Sequence, residues 1–124
     1  GNLFVKEFVL PGNLLLASFV PGGENRASLR AVMPAEILEA DFGAVLSVTA
    51  RHPGVPEIMR RGAEARLEAI ATRLESFALC DATERYRVFR RDHEQYEAVI
   101  PRYLVASWLG ITPTQLSRIR KTEK

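Results

Sequence analysis

The segment from Pro101 to Lys121 most constrains what this chain can fold into, because it joins two short helical stretches through a corner. Gly110 stands at the corner, where the chain needs a left-handed conformation that glycine adopts at little cost. Thr112 can cap a second helix, and Pro113 suits its first turn, where no backbone N–H is needed. The segment therefore predicts a helix-turn-helix, a motif whose second helix enters the DNA major groove.

Apolar and polar residues of this segment fall on different faces. Leu104, Leu109, Leu116 and Ile119 can close a small core between the two helices. The second helix, about residues 112–121, leaves polar and basic side chains outside. The predicted base contacts are Thr114, Gln115, Ser117 and Arg118, and the predicted phosphate contacts are Arg102, Thr112, Arg120, Lys121 and Lys124.

Charge is distributed unevenly along the chain. The formal net charge is +2, but residues 1–80 hold 8 basic and 9 acidic side chains, whereas residues 81–124 hold 9 basic and 6 acidic ones. From residue 101 onward there are 5 basic side chains and 1 acidic side chain. Positive potential is thus concentrated where phosphate binding would need it.

Several functional classes are disfavoured. The single cysteine, Cys80, cannot form an internal disulfide, which suits a reducing cytoplasm. No apolar run approaches the roughly 20 residues that span a bilayer. His93-Glu94 begins like a zinc-protease signature, but Glu97 replaces the second histidine, and neither a Gly-rich phosphate loop nor a nucleophile–base pair occurs. We therefore expect a cytoplasmic protein that is not an enzyme, holds no metal and has no membrane partner.

Residues 1–42 predict β structure. Four short stretches, at 3–10, 14–20, 27–33 and 36–42, are rich in β-branched and aromatic residues or alternate weakly, and Pro/Gly corners follow the first two. About forty residues bury little by themselves, so this half should need further strands or a partner to complete its core. The chain lacks an initiator methionine, and we expect it to be part of something longer. Whether further strands belong to the native protein stays open.

Helices are expected after this segment. A short one should cover residues 42–52, and a long one should run from about 56 to 79. From Ala63 onward the long helix repeats apolar residues at the 4- and 3-residue spacing of a coiled coil. The predicted dimer seam consists of Ala63, Leu67, Ile70, Leu74 and Phe77. The alternative is a single amphipathic helix that lies on its own domain.

A capping box starts the next predicted helix. Asp81 stands at the cap and Glu84 follows three residues later, so a helix should cover residues 82–93. Tyr86 and Phe89 should face inward on that helix.

This order of elements resembles the Crp/Fnr family of bacterial transcription regulators. The resemblance is carried by Glu84 to Tyr86, Ile100 to Pro113 and Leu116 to Lys121, with a looser match at Phe8 to Gly12 and Arg51 to Pro53. It implies an α+β fold. Residues 1–42 would form a partial, cyclic-nucleotide-binding-like β-roll, residues 43–80 a short helix and a dimerisation helix, and residues 81–124 a winged helix-turn-helix domain.

The resemblance also implies a homodimer that binds a two-fold site on double-stranded DNA and regulates transcription, with RNA polymerase as a further partner. Arg118 matches the family's base-reading arginine, and Ser117 matches the serine before it in the Fnr branch. Thr114 falls where many relatives carry an acidic base-reader. The target sequence and the direction of regulation therefore stay open.

A possible effector pocket is implied at Gly12, Asn13 and Arg26. Cyclic-nucleotide binders of this fold place a Gly-Glu pair on the ribose and an arginine on the phosphate. Gly12 matches the glycine, but Asn13 replaces the acid, and the phosphate position falls on either Arg26 or Asn25. An amide cannot supply the charged acceptor, so we expect no cofactor, and a cyclic nucleotide is the less favoured ligand.

A second function stays open on the sequence alone. The chain could be a protein-interaction or small-molecule sensor module of the same fold that does not bind DNA, with Tyr103 and Trp108 at a protein contact. The two functions differ in salt dependence, because the affinity of a DNA binder for a random duplex falls steeply as salt rises.

Overall fold

The computed structural model describes residues 3–15, 24 and 27–123. Within these ranges the chain forms five α-helices and one 3₁₀ turn, which lies at Glu94–Tyr96. The helices are α1 (Phe42–Thr49), α2 (Gly54–Leu79), α3 (Ala82–His93), α4 (Arg102–Leu109) and α5 (Pro113–Thr122). The chain divides into two compact units, one of residues 1–8 with 71–124 and the other of residues 9–70.

The predicted α+β fold with a partial β-roll is wrong, since no β-strand occurs in the part of the chain that the structure describes. Residues 3–10 and 27–41 are irregular, and every residue of 27–41 except Val32 is exposed. A strand needs a neighbour for its backbone groups, and strand-favouring residues need a half-buried pleated surface to pack on. The segment 27–41, in which all residues but Val32 are exposed, provides no such half-buried surface for its side chains.

Some predictions on the N-terminal half fall outside the described residues. These are residues 16–20 of the expected second strand, the corner at 21–23, and Asn25 and Arg26 of the expected effector pocket. At the other end of the chain, Lys124 also lies outside them.

The unit of residues 9–70 has no buried residue among those described. Its helix α1 begins after Asp41, whose carboxylate accepts the Ala44 N–H at 2.9 Å and so caps the helix. Helix α1 ends three residues before the predicted end, and α2 begins two residues before the predicted start. Leu14 lies against α2, because a Cβ atom at Gly62 would come within 2.9 Å of its Cδ2.

The core lies in the unit of residues 1–8 and 71–124. Helices α3, α4 and α5 supply all of its residues except Ile100, which precedes α4, and the inward orientation predicted for Tyr86 and Phe89 is confirmed. The buried residues are Tyr86, Phe89, Ile100, Leu104, Val105, Ala106, Leu109 and Leu116. Ile119, also predicted for this core, is half-buried.

The first predicted strand is instead an extended segment, residues 3–8, that lies on α4. The Ser107 hydroxyl accepts the Val5 N–H at 3.0 Å and donates to the Leu3 carbonyl at 2.8 Å. Arg73 donates to the Val5 carbonyl at 2.9 Å and also to the Lys6 carbonyl. Side chains thus take up the backbone groups that a neighbouring strand would pair.

An aromatic cluster fixes the end of this segment. Phe8 meets the rings of Phe89 and Trp108, with ring centroids 6.0 and 6.4 Å apart. His93 stacks on Phe89 at 4.7 Å with an interplanar angle of 15°. Such aromatic contacts stabilise a fold by more than the burial of their apolar surface alone would. Trp108, half-buried here, is therefore a packing residue of this unit.

Candidate nucleic-acid interface

The corner between α4 and α5 forms as the sequence predicts. Gly110 has φ 69° and ψ 33°, the left-handed conformation. Its N–H donates to the Ser107 carbonyl at 3.2 Å, and the Ile111 N–H donates to the Ala106 carbonyl at 3.0 Å. This pair of bonds is a Schellman motif, which ends α4 and turns the chain toward α5.

Two arginine side chains donate hydrogen bonds to the last carbonyls of α4. Arg73 donates to the Trp108 carbonyl at 3.0 Å, and Arg85 donates to the Leu109 carbonyl at 3.2 Å. Both guanidinium groups also lie over the Phe77 ring, 5.5 and 5.0 Å from its centroid. Burial lowers the pKa of Arg73, opposed by the charge of Glu7.

All four carbonyls that α4 cannot satisfy internally therefore have partners. Two positive charges also lie at the negative end of its dipole. The corner is consequently held from α2 and α3 as well as by its own backbone.

The amino end of α5 carries a capping box. The Thr112 Oγ1 accepts the Gln115 N–H at 3.1 Å, and the Thr112 N–H donates to the Gln115 side-chain oxygen at 2.9 Å. Pro113 occupies the first turn. The cap of α5 at Thr112 is thus confirmed. Gln115, predicted as a base contact, has its acceptor oxygen committed to the cap.

The outer face of α5 is polar and basic. Leu116 turns inward at 1% exposure, which anchors the helix on α4. The predicted contacts Thr114, Ser117, Arg118 and Lys121 are all exposed, as are Thr112 and Gln115 near the amino end. Arg102, at the start of α4, is exposed too. Most of the side chains chosen from the sequence are therefore exposed to solvent, and all of these except Arg102 lie on α5 or at its cap.

Arg120 differs from the other predicted phosphate contacts. It is half-buried, and its Nη2 lies 3.7 Å from a carboxylate oxygen of Glu97. The same carboxylate accepts the Tyr86 hydroxyl at 2.5 Å and pairs with Arg90 at 3.2 Å. Burial, reinforced by this hydrogen bond, raises the pKa of Tyr86 to about 12. Glu97 is a residue that sequence reasoning missed.

A second acidic residue closes the carboxyl end of α5. Glu123 accepts two hydrogen bonds from Arg87, at 2.7 and 2.8 Å, in a bidentate pair. Its backbone carbonyl also accepts from Arg90 at 3.3 Å. Arg87 and Arg90 of α3 therefore hold the carboxyl end of α5 at Glu123, and Arg90 also pairs with Glu97 after the 3₁₀ turn.

Two of the three residues of the predicted effector pocket, Gly12 and Asn13, are described by the structure, and the third, Arg26, lies outside the described residues. Gly12 has φ 83° in an exposed turn, in which the Asn13 N–H donates to the Leu10 carbonyl at 3.1 Å. Asn13 is exposed as well. Glycine is needed at position 12 for its backbone conformation, which requires no ligand.

The predicted dimer seam is open to solvent. Leu67 is 68% exposed, Ile70 46% and Leu74 70%, whereas Ala63 is half-buried. Phe77 is 40% exposed and is partly committed to the corner, because three of its ring atoms lie within 4 Å of a Cβ atom built at Gly110. The apolar stripe of α2 is therefore left uncovered along most of its predicted length.

No protein-family model, curated protein or solved structure matches this chain. In the part of the chain that the structure describes, no helix is long and apolar enough to cross a bilayer. The same residues contain no cluster of His, Cys, Asp and Glu side chains that could hold a metal ion.

Proposed function

We propose that this chain is a sequence-specific DNA-binding transcriptional regulator of the Crp/Fnr type, with α5 in the major groove. One observation carries the proposal: α5 shows solvent an outer face of Thr114, Ser117, Arg118 and Lys121 while its inner face is anchored through Leu116. The corner before α5 is fixed by backbone, cap and arginine contacts. A helix that reads bases needs both properties, since contacts to base edges depend on a rigid approach.

The side chains on this face suit the two tasks of DNA recognition. Arg118 can donate two parallel hydrogen bonds to a guanine edge, whereas Thr114 and Ser117 can bond to bases or phosphates. Lys121 and Arg102 add charge for the backbone. The proposal includes a cytoplasmic location and assigns no catalytic step to the chain.

The proposed regulator is a homodimer through the exposed seam of α2. Leu67, Ile70 and Leu74 expose between 46% and 70% of their surface to water, and a parallel partner helix would cover them. Two copies would present two α5 helices to a two-fold DNA site. Transcription would then depend on contact of the bound dimer with RNA polymerase.

The substitution Arg118→Ala tests the proposal. We expect it to weaken binding to a duplex selected from a randomised pool by about 1–3 kcal/mol, and to leave binding to random-sequence duplex little changed. Fluorescence anisotropy over a range of salt concentrations measures both. The matched control is Lys121→Ala, which should weaken both duplexes alike and reduce the log–log salt slope by about 1.

Two results would count against this function. Equal losses on both duplexes would reduce Arg118 to a phosphate contact. A flat salt response of the unsubstituted protein would favour an interaction module instead, in which Tyr103, 43% exposed on α4, contacts a partner protein.

A further inference from the structure

The side chain of Gln115 is held in one orientation by the cap of α5. Its Oε1 accepts the Thr112 N–H at 2.9 Å, and its own backbone N–H donates to the Thr112 Oγ1 at 3.1 Å. A backbone N–H needs an acceptor, so the oxygen of the amide, and not its nitrogen, faces Thr112. The Nε2 group is therefore the end of the amide that is left for another molecule.

Gln115 lies on the solvent side of α5, near the amino end of the helix. It is exposed, and it precedes Arg118, the proposed base reader, by three residues, so the two side chains lie on neighbouring turns of one helix face. Leu116, which points the other way, is buried. The amino-terminal residues of a recognition helix are the ones that contact base edges. Gln115 is therefore placed to meet a base in the same groove as Arg118.

A glutamine whose amide is free pairs best with adenine, because its oxygen accepts from N6 while its nitrogen donates to N7. That pairing requires Oε1 to face the base, whereas Oε1 of Gln115 faces the Thr112 N–H. With only Nε2 turned outward, the side chain offers donors alone, and the N6 amino group of adenine would oppose them. Guanine presents two acceptors side by side, N7 and O6, which one nitrogen can serve, as the nitrogen of lysine does.

We propose that Gln115 is a specificity-determining residue that reads guanine rather than adenine, because the capping box commits its oxygen and leaves only its donors to DNA. The inference rests on the proposed function and deepens it by assigning one base of the site. Arg118 also pairs best with guanine. Since the two side chains lie one helical turn apart, each half-site should contain two G·C base pairs close together.

The first experiment locates the base pair that Gln115 reads. A duplex is selected from a randomised pool with the unsubstituted protein, and fluorescence anisotropy then compares the four base pairs at each position of that duplex. Gln115→Ala should lose discrimination at one position and retain it at the others. There the unsubstituted protein should favour guanine over adenine by about 5-fold or more, the lower end of the range for a good bidentate pair. A preference for adenine at that position overturns the proposal.

Thr112→Pro tests whether the cap sets this preference. Thr112 has φ −78° and ψ 154°, which proline can adopt even before Pro113, and proline has no N–H to hold Oε1. Thr112→Ala is the matched control, because it removes the same hydroxyl and keeps the N–H. The ratio of guanine to adenine affinity should be lower by about 5-fold or more in Thr112→Pro than in Thr112→Ala. Equal ratios in the two variants refute the proposed role of the cap.

Gln115→Glu decides the question even if Thr112→Pro fails to fold. Glutamate fills the same place in a capping box, so the cap is retained, but its carboxylate has no donor. The guanine preference should disappear, and cytosine, whose N4 amino group donates, should become the favoured base. Each preference is a ratio of two affinities of one variant, so the general repulsion of DNA by the added charge cancels. A guanine preference that survives in Gln115→Glu contradicts the assignment.

Failure of the inference and failure of the proposed function give different results. If the unsubstituted protein enriches no sequence from the pool, the function itself fails and the inference falls with it. If it enriches a sequence, but Gln115→Ala discriminates at every position as the unsubstituted protein does, only the role of Gln115 is refuted. Circular dichroism of each variant checks that the compared proteins are equally folded.

Discussion

The substitution Gly110→Ala should destabilise the helix-turn-helix more than a typical surface change, because two independent costs meet at this residue. The first is conformational: Gly110 has φ 69°, and an L-residue with a Cβ atom is disfavoured there by about 1–2 kcal/mol. The second is steric. The added Cβ atom would lie 2.7 Å from the Phe77 Cε1, far inside the usual carbon–carbon separation of about 3.5–4.0 Å.

The steric cost follows from what surrounds the site. The three nearest heavy atoms, at 2.7, 3.4 and 3.7 Å, all belong to the Phe77 ring. That ring cannot retreat freely, since the guanidinium groups of Arg73 and Arg85 lie over it at 5.5 and 5.0 Å. Overpacking of this kind costs about 1–3 kcal/mol. The two costs together amount to about 2–5 kcal/mol, a large part of the stability of a small domain.

A double-mutant cycle separates the two costs. Urea unfolding, followed by the fluorescence of Trp108, should be measured for the unsubstituted chain, Gly110→Ala, Phe77→Ala and the double variant. Trp108 is the only tryptophan and lies on α4 within the same unit. Removing the Phe77 ring abolishes the clash, so the coupling free energy should equal the steric part, about 1–3 kcal/mol. The remaining loss is the backbone part.

Two results would refute this reasoning. A loss below about 0.5 kcal/mol for Gly110→Ala, the size of an ordinary surface change, would mean that the corner does not require glycine. A coupling free energy near zero, with a large total loss, would mean that Phe77 does not close on the corner.

Two further predictions concern ionisation and assembly. The pKa of Tyr86 is raised to about 12 by burial and then by Glu97, so the folded state holds the phenol proton more tightly than the unfolded chain. The stabilisation that Tyr86 contributes in this way is fully present below pH 10 and is lost as pH rises from 10 toward 12. In the unsubstituted chain the urea midpoint should therefore fall over this pH range, and in Tyr86→Phe the part of the fall that is due to Tyr86 should be absent. Equal dependence of the urea midpoint on pH in the two proteins would contradict the assignment. Leu67→Glu, at a seam position that is 68% exposed, should shift sedimentation equilibrium from dimer to monomer, whereas Glu68→Gln, its exposed neighbour off the seam, should not. A monomeric mass for the unsubstituted chain would remove the proposed dimer.

The helix-turn-helix could be predicted closely because its signals are local. The capping box at Asp81 and Glu84 forms as predicted, and α3 has the predicted bounds. The left-handed Gly110 and the cap at Thr112 lie within three residues of the groups they bind. Short-range chemistry of this kind is fixed by residue type and spacing, so it can be recognised before any tertiary contact is known.

The contacts that were missed join arginine side chains to backbone carbonyls far apart in sequence. Arg73 reaches the Trp108 carbonyl 35 residues away, and Arg85 reaches the Leu109 carbonyl 24 residues away. A helical arginine is ordinarily interpreted as solvated, and no spacing rule indicates which carbonyl it will meet. The only sequence signal for the role of Glu97 was its negative charge, because it lies between an arginine-rich helix and a basic one.

The β-roll was predicted from strand-favouring residues, from Pro/Gly corners and from the family resemblance, and none of these shows what a strand would pair with. Residues 3–8 are rich in β-branched and aromatic residues, yet their backbone groups are bound by the side chains of Ser107 and Arg73. Strand propensity measures how well a side chain fits a neighbouring pleated surface, so it has no fixed meaning where no sheet is present. Residues of the same types at 3–8 are equally compatible with an extended segment that packs on helix α4.

Phe77 connects the proposed dimer seam to the proposed DNA-reading corner. It is the last predicted seam residue of α2, its ring closes on Gly110, and the two arginines over it also bind the last carbonyls of α4. In a dimer through α2, the direction in which α5 leaves the corner would therefore follow from the direction of the last turns of α2, which carry Leu74 and Phe77. A two-fold DNA site requires this coupling, because its half-sites lie about one helical turn, 34–36 Å, apart and tolerate little error in the placement of the two recognition helices. A substitution at Phe77 should accordingly disturb cooperative binding to both half-sites more than binding to one.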